Sequence, residues 1–198
     1  MERTYSALAS RLLPVDTTFQ QPILPEPRVV SAEDSAVEVM TDFRRIRAIT
    51  VPASVAMHYA FQRMRANSVH LLLVTDQRNI ILGLITSTDI EGERPLIEMR
   101  RLGLRRDELT VAHIMTPRER IEVIEMADVR RARVGHVVAT LKTVGRQHAV
   151  VIDRDDCGRP VLRGLFAVSQ INHQLRAAFH PTGIARSFAE LETALAHH

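Results

Sequence analysis

Gly83-Leu84-Ile85-Thr86-Ser87-Thr88-Asp89 is the stretch whose residue types and spacing could do chemistry. The apolar run Ile80–Ile85 reads as a strand covered on both faces, and the polar residues after it as the start of a helix. Thr86 stands at the expected N-cap, with Asp89 three positions on. A hydroxyl and a carboxylate then sit together beside backbone N–H groups that lack helical partners. A carboxylate accepts from two hydroxyls at once, and a helix N-terminus favours phosphate, so the corner suits a sugar diol and a phosphate. The same pair also has capping-box spacing, in which it does no more than hold the helix end. Both readings stand at this point.

Other candidates carry less. The histidines include His113, His136 and His148, and none pairs at a recognisable metal-ligand spacing, so they read as surface or packed side chains. Cys157 lies in a polar turn with Asp155 and Asp156, an acidic setting unlike the electropositive one of a reactive thiolate, which argues against a nucleophile. Ser169, between Val168 and Gln170, lacks a nucleophile elbow. Neither a Walker loop nor a dinucleotide fingerprint is found. With no acid–base or nucleophile constellation visible, the chain is not expected to be an enzyme.

The background is that of a globular chain of 198 residues, 45% hydrophobic and 25% charged. Aromatics make up only 4% and Trp is absent, so the core must be built from Val, Ile, Leu, Met and Ala. Met40, Met57, Met64 and Met115 read as core filler. The formal charge of +3 is mild, and every basic residue but Lys142 is arginine. These arginines are spread along the chain, which argues against a nucleic-acid partner and fits compositional bias. One cysteine excludes an internal disulfide and suggests a reducing, cytoplasmic setting. No apolar run approaches membrane-spanning length, and Leu12-Leu13 after Arg11 is too short for a secretion signal.

The elements that must position Thr86 and Asp89 occur twice. Val39-Met40-Thr41 is echoed by Ile114-Met115-Thr116 at an offset of 75 residues. Met57, Ala60, Phe61 and Met64 follow helical spacing, as do Val134, Val137, Val138 and Leu141 at an offset of 77. Each helix leads to a compact apolar strand, Leu71–Asp76 or Ala149–Asp153, then a turn and a second strand holding Gly83 or Gly164. The offset grows to 81 at the glycines because the second turn is longer, as a duplication with a loop insertion predicts. Opening strands are expected near Ile46–Val51 and Ile121–Met126, with Pro52 ending the first and Ser54 capping the next helix. Arg94–Leu109 reads as a helix exit and a surface connector. Pro22, Pro25 and Pro27 favour an extended arm, and Phe188, Leu191 and Leu195 give Ser187–His198 an amphipathic helical look.

The duplicated unit resembles the CBS domain, and the tandem pair resembles a Bateman module. The resemblance rests on the Val-Met-Thr and Ile-Met-Thr lead-ins, the Met57/Ala60/Met64 helix, Val74-Thr75-Asp76, and the Gly-x-x-Thr-x-x-Asp motif at 83–89. It implies an α/β (α+β) fold of two CBS-type units, each β-α-β-β-α, packed about a pseudo-twofold axis. The expected organisation is an arm over 1–34, a first unit over 35–98, a connector and second unit over 99–180, and a C-terminal helix or tail over 181–198. The resemblance also implies a regulatory, non-catalytic homodimer that binds an adenosine compound such as AMP, ADP, ATP or S-adenosylmethionine between its units. No obligate cofactor is implied, and the protein partner is unnamed. Carried over residue by residue, Asp89 would take the ribose, and Thr86, Thr88 and the intervening Ser87 the ribose or phosphate. Ile49, Thr50 and Val51 would face the base. The second motif departs from the pattern, with Ala167 and Gln170 where Thr and Asp belong, so one competent site and a degenerate one are expected. The competing expectation is a structural or protein-interaction homodimer with no physiological small ligand.

Overall fold

The structure is a computed structural model that describes residues 29–176. Most of the expected arm and the whole of the helix expected over Ser187–His198 lie outside the described residues. The elements run β1 (Thr41–Asp42), β2 (Thr50–Pro52), α1 (Met57–Ala66), β3 (Leu71–Thr75), β4 (Ile81–Thr86), α2 (Ser87–Glu91) and α3 (Arg94–Leu102). They continue with α4 (Val111–Ile114), β5 (Thr116–Pro117), β6 (Val123–Glu125), α5 (Met126–Val129), α6 (Val134–Thr143), β7 (His148–Arg154), β8 (Pro160–Ala167) and α7 (Val168–Arg176). The repeat is visible in the offsets: α6 begins 77 residues after α1, and β7 begins 77 after β3.

Two four-stranded sheets form, ordered β2-β3-β4-β5 and β6-β7-β8-β1. In each, the opening strand lies parallel to the next, and the hairpin strands pair antiparallel. The fourth strand of each sheet comes from the other repeat's lead-in. Thr116-Pro117 of the second lead-in pairs with Gly83-Leu84, and Thr41-Asp42 of the first pairs with Gly164-Leu165. The buried Arg163 on β8 forms an ion pair with Asp42 that fastens β1 in place.

The cores follow the same exchange. Val51, Met57, Ala60, Met64, Leu72, Val74 and Ile85 of the first unit close over Leu109, Val111 and Ile114. Val134, Val138, Leu141, Val151 and Phe166 of the second close over Val30, Ala36 and Val39. Chain order and core membership therefore differ: the stretch before each unit completes its neighbour. Leu109 has no exposed surface, so the end of the expected surface connector is core. The hydrophobic pattern of a lead-in shows that it must be buried, but not against which sheet.

The exchange also explains a cap that sequence spacing misplaces. Helix α1 starts at Met57, not after Ser54, and its N-cap Ala56 offers no side-chain acceptor. The Met57 N–H donates instead to the Leu109 carbonyl at 2.8 Å, and in the other unit the Val134 N–H donates to the Asp34 carbonyl at 2.9 Å. A lead-in carbonyl thus does the work usually left to a capping side chain. The opening strands are shorter than the sequence suggests. Residues Ile46–Ile49 lie outside β2 and border a cleft instead.

Candidate functional site

Helix α2 follows β4 without a loop, and Thr86 is its N-cap. The Thr86 Oγ1 accepts the Asp89 N–H at 3.2 Å, and the Thr86 N–H and hydroxyl donate to Asp89 Oδ2 at 2.9 and 2.7 Å. The capping box is therefore formed. It does not hide the carboxylate: the Asp89 side chain is 19% exposed, and it lines a hollow of about 440 Å³. That volume lies in the range of small-molecule sites.

The hollow lies between the two repeats. Thr86, Thr88, Asp89 and Arg94 come from the first unit's motif and the helix after it, Thr116, Arg120 and Ile121 from the second lead-in, and Arg146 and His148 from the approach to β7. Arg94 stands between the carboxylate and the far wall. Its Nη1 donates to Asp89 Oδ1 at 2.8 Å, to the Ile114 carbonyl at 2.7 Å and to Thr116 Oγ1 at 3.3 Å. Arg146 reaches Glu122 at 3.1 Å on the rim. One guanidinium, that of Arg94, therefore pairs with the carboxylate, those of Arg120 and Arg146 line the same hollow, and Leu84, Ile121 and Val150 add apolar lining.

A second hollow, of about 360 Å³, is related to the first by the repeat. Here Ala167, Ser169 and Gln170 take the places of Thr86, Thr88 and Asp89, and Thr41, Ile46 and Leu73 the places of Thr116, Ile121 and Val150. The Thr41 hydroxyl donates to Gln170 Oε1 at 2.7 Å. This hollow contains no carboxylate, and its walls are mostly aliphatic. His148 is the one described residue that borders both hollows. Burial, and then the nearby His70, pull its pKa down to about 4, while Asp89 pulls weakly the other way. Its ring is therefore neutral near pH 7.

The seven residues expected to share one site do not all meet. Thr86, Thr88 and Asp89 line the larger hollow, whereas Ile49 lines the smaller one, beside Gln170. Ile121, not Ile49, stands opposite Asp89. Val51 is wholly buried in the first core, Thr50 pairs with Leu73 within the sheet, and neither is among the residues lining these two hollows. Ser87 turns toward His70, with Oγ and Nδ1 at 3.4 Å. The mispairing follows from the exchanged lead-ins, which bring each motif against the other repeat's opening segment. Arg94, Arg120 and Arg146 were not singled out in the sequence because arginines occur throughout it. Their one distinguishing signal is position relative to the repeat, since Arg94 follows the motif closely and Arg146 precedes β7. Among the described residues, no group of three His, Cys, Asp or Glu side chains could hold a metal ion, and no helix is long and apolar enough to cross a membrane.

No family model matches the chain. Two CBS domain-containing proteins of Arabidopsis thaliana, CBSCBSPB5 and CBSCBSPB4, are each 32% identical to it over 87 residues, 44% of this chain and 15% of theirs. The match thus spans less than a fifth of those relatives. Among solved structures, an uncharacterized conserved protein from Pyrococcus horikoshii superposes with a TM-score of 0.50 at 21% identity, covering 79% of this chain and 100% of that one. A CBS-domain containing protein from Agrobacterium tumefaciens superposes with a TM-score of 0.50 at 17% identity, covering 71% and 92%. The chain folds as a tandem CBS-domain pair. A further structure of this fold, CBSX2 of Arabidopsis thaliana in complex with AMP, superposes with a TM-score of 0.50 at 18% identity, covering 74% of this CBS pair and 96% of that chain.

Proposed function

We propose that this CBS pair is a non-catalytic regulatory module that binds an adenosine-type nucleotide, of the AMP, ADP, ATP or S-adenosylmethionine class, in the hollow beside Asp89. The observation that carries the reading is that hollow itself: a carboxylate, a hydroxyl, three arginines and apolar side chains line one cavity at the junction of both repeats. Ile121, Leu84 and Val150 supply a surface for a base, and Asp89 an acceptor for a ribose hydroxyl. The arginines offer planar donors to phosphate. The AMP complex of CBSX2 supports the ligand class by likeness of fold. The reading includes a cytoplasmic homodimer that relays ligand state to a protein partner. Leu96 and Ile97 on α3, 49% and 57% exposed, offer apolar surface for such a contact.

The test is thermal unfolding with and without nucleotides. A ligand at a hundredfold excess over its Kd stabilises by about 2.7 kcal/mol. Asp89→Asn keeps an acceptor for the cap but loses the charge, and its response should shrink or vanish. A wild-type protein that ignores every adenosine compound counts against the reading.

A second reading, a structural homodimer without a small ligand, draws on one observation. Asp89 Oδ2 already accepts two hydrogen bonds from Thr86, and Oδ1 accepts one from Arg94. In that case Asp89→Asn lowers stability and no nucleotide changes it.

A further inference from the structure

We infer that the Asp89–Arg94 pair makes the larger hollow selective for phosphate-bearing nucleotides, against nucleosides and against S-adenosylmethionine. The inference rests on the nucleotide reading above and narrows the ligand class that it names.

A carboxylate has about four acceptor positions. In this structure two on Oδ2 are taken by the Thr86 N–H and hydroxyl, and one on Oδ1 by Arg94. A ribose diol that needs two acceptors therefore cannot be held by both hydroxyls unless Arg94 lets go. Arg94 Nη1 would then keep only the Ile114 carbonyl and Thr116 Oγ1, a neutral pair, in place of a carboxylate. Arg94 is 37% exposed, so losing its counter-charge costs what a partly screened ion pair is worth, together with one charge-assisted hydrogen bond.

A nucleoside offers no compensation. A phosphorylated nucleotide does, because its phosphate provides Arg94 with a new anionic partner on the same wall. Arg120 and Arg146 add positive charge. The charged groups lining the hollow are Arg94 after α2, Arg120 after β5, Arg146 before β7 and Asp89 on α2, and the exposed Glu122 pairs with Arg146 outside that lining. His148 is neutral and adds no charge near pH 7. The balance is positive. A sulfonium with an amino-acid ammonium group would add positive charge to that wall, and its one carboxylate is a weaker match than a phosphate dianion. The smaller hollow is lined by Arg47 but has Gln170 and Leu175 at the places of Asp89 and Arg94, so no carboxylate–guanidinium pair of this kind selects there.

The experiment is isothermal titration of the full chain with AMP, adenosine, S-adenosylmethionine and inorganic pyrophosphate at low and moderate salt. AMP should bind roughly tenfold to a hundredfold more tightly than adenosine, the span set by one or two charge-assisted hydrogen bonds. Pyrophosphate should compete with AMP, and added salt should weaken AMP but leave adenosine unchanged. In Arg94→Gln the AMP-to-adenosine ratio should collapse toward one, through weaker AMP and equal or tighter adenosine. Should Arg94→Gln fail to fold, Arg146→Gln and Arg120→Gln on the exposed wall should each lower AMP affinity and spare adenosine. Adenosine or S-adenosylmethionine binding as tightly as AMP to the wild type overturns the selectivity and leaves the nucleotide reading standing. Binding of none of the four overturns both.

Discussion

His148 stands where the two hollows meet, and it has been kept from charging by burial and by His70. The unfolded chain takes up that proton near pH 6.5, but the folded chain only near 4. The stability tied to the neutral ring is therefore complete above about pH 6.5 and disappears as pH falls toward 4. Discounted for partial exposure, it is on the order of 2 kcal/mol. His148→Gln should flatten the acid limb of a stability-against-pH curve measured by urea unfolding between pH 4 and 7. An unchanged slope would show that other groups set it. At this scale the sequence was legible where residue type and local spacing decide, as at Thr86 and Asp89. His148 was not legible as a shared wall, because its role depends on two strands that lie far apart in the chain.

Strand β4 shows how an element carries the site. Its Gly83 backs directly onto β5, and a Cβ there would meet the Thr116 carbonyl oxygen at 2.5 Å and Met115 Sδ at 3.1 Å. Gly164 is the counterpart, with the Thr41 carbonyl oxygen at 2.5 Å. The glycine of the motif is thus needed for close approach of the exchanged strand, which is hydrogen-bonded over only two residues. Gly83→Ala should destabilise by about 1–3 kcal/mol through overpacking. It should also loosen Thr116 and Ile121 in the lining of the Asp89 hollow, so nucleotide-induced stabilisation should fall more than in a variant of equal stability elsewhere. Denaturant melts with and without AMP measure both effects. The strands and helices themselves were readable from period: α1 and α6 carry buried residues at 57, 60 and 64 and at 134, 137, 138 and 141, as expected. The short strands β1 and β5 were not, since two extended residues leave no alternation to detect.

Across the whole molecule, each core is completed by the other repeat's lead-in. The first core takes Leu109, Val111 and Ile114, and the second takes Val30, Ala36 and Val39. A fragment spanning 29–103 therefore lacks both part of its core and one strand. It should fail to melt cooperatively alone, and mixing it with 104–176 should restore native-like circular dichroism and a single transition. A fragment that melts cooperatively as a monomer by itself would show that the exchange is dispensable. The duplication was legible because the offsets of 75, 77 and 81 recur between corresponding segments, and the α/β class because each copy carries both strand and helix patterns. Which motif faces which opening segment was not, because Met40-Thr41 and Met115-Thr116 would suit either sheet equally well.

That exchange has a bearing on how the polypeptide is made. The nascent chain emerges with its first four-stranded layer unfinished, waiting for Thr116-Pro117, while Thr41-Asp42 has no mate until the ribosome has passed β8. Neither half is finished from its own residues: the earlier layer closes once Thr116-Pro117 has emerged, and the later one recruits Thr41-Asp42, made long before. The hollow that gathers both repeats comes later still, once Arg146, His148 and Val150 have been made, so a product that stops before β7 cannot contain it.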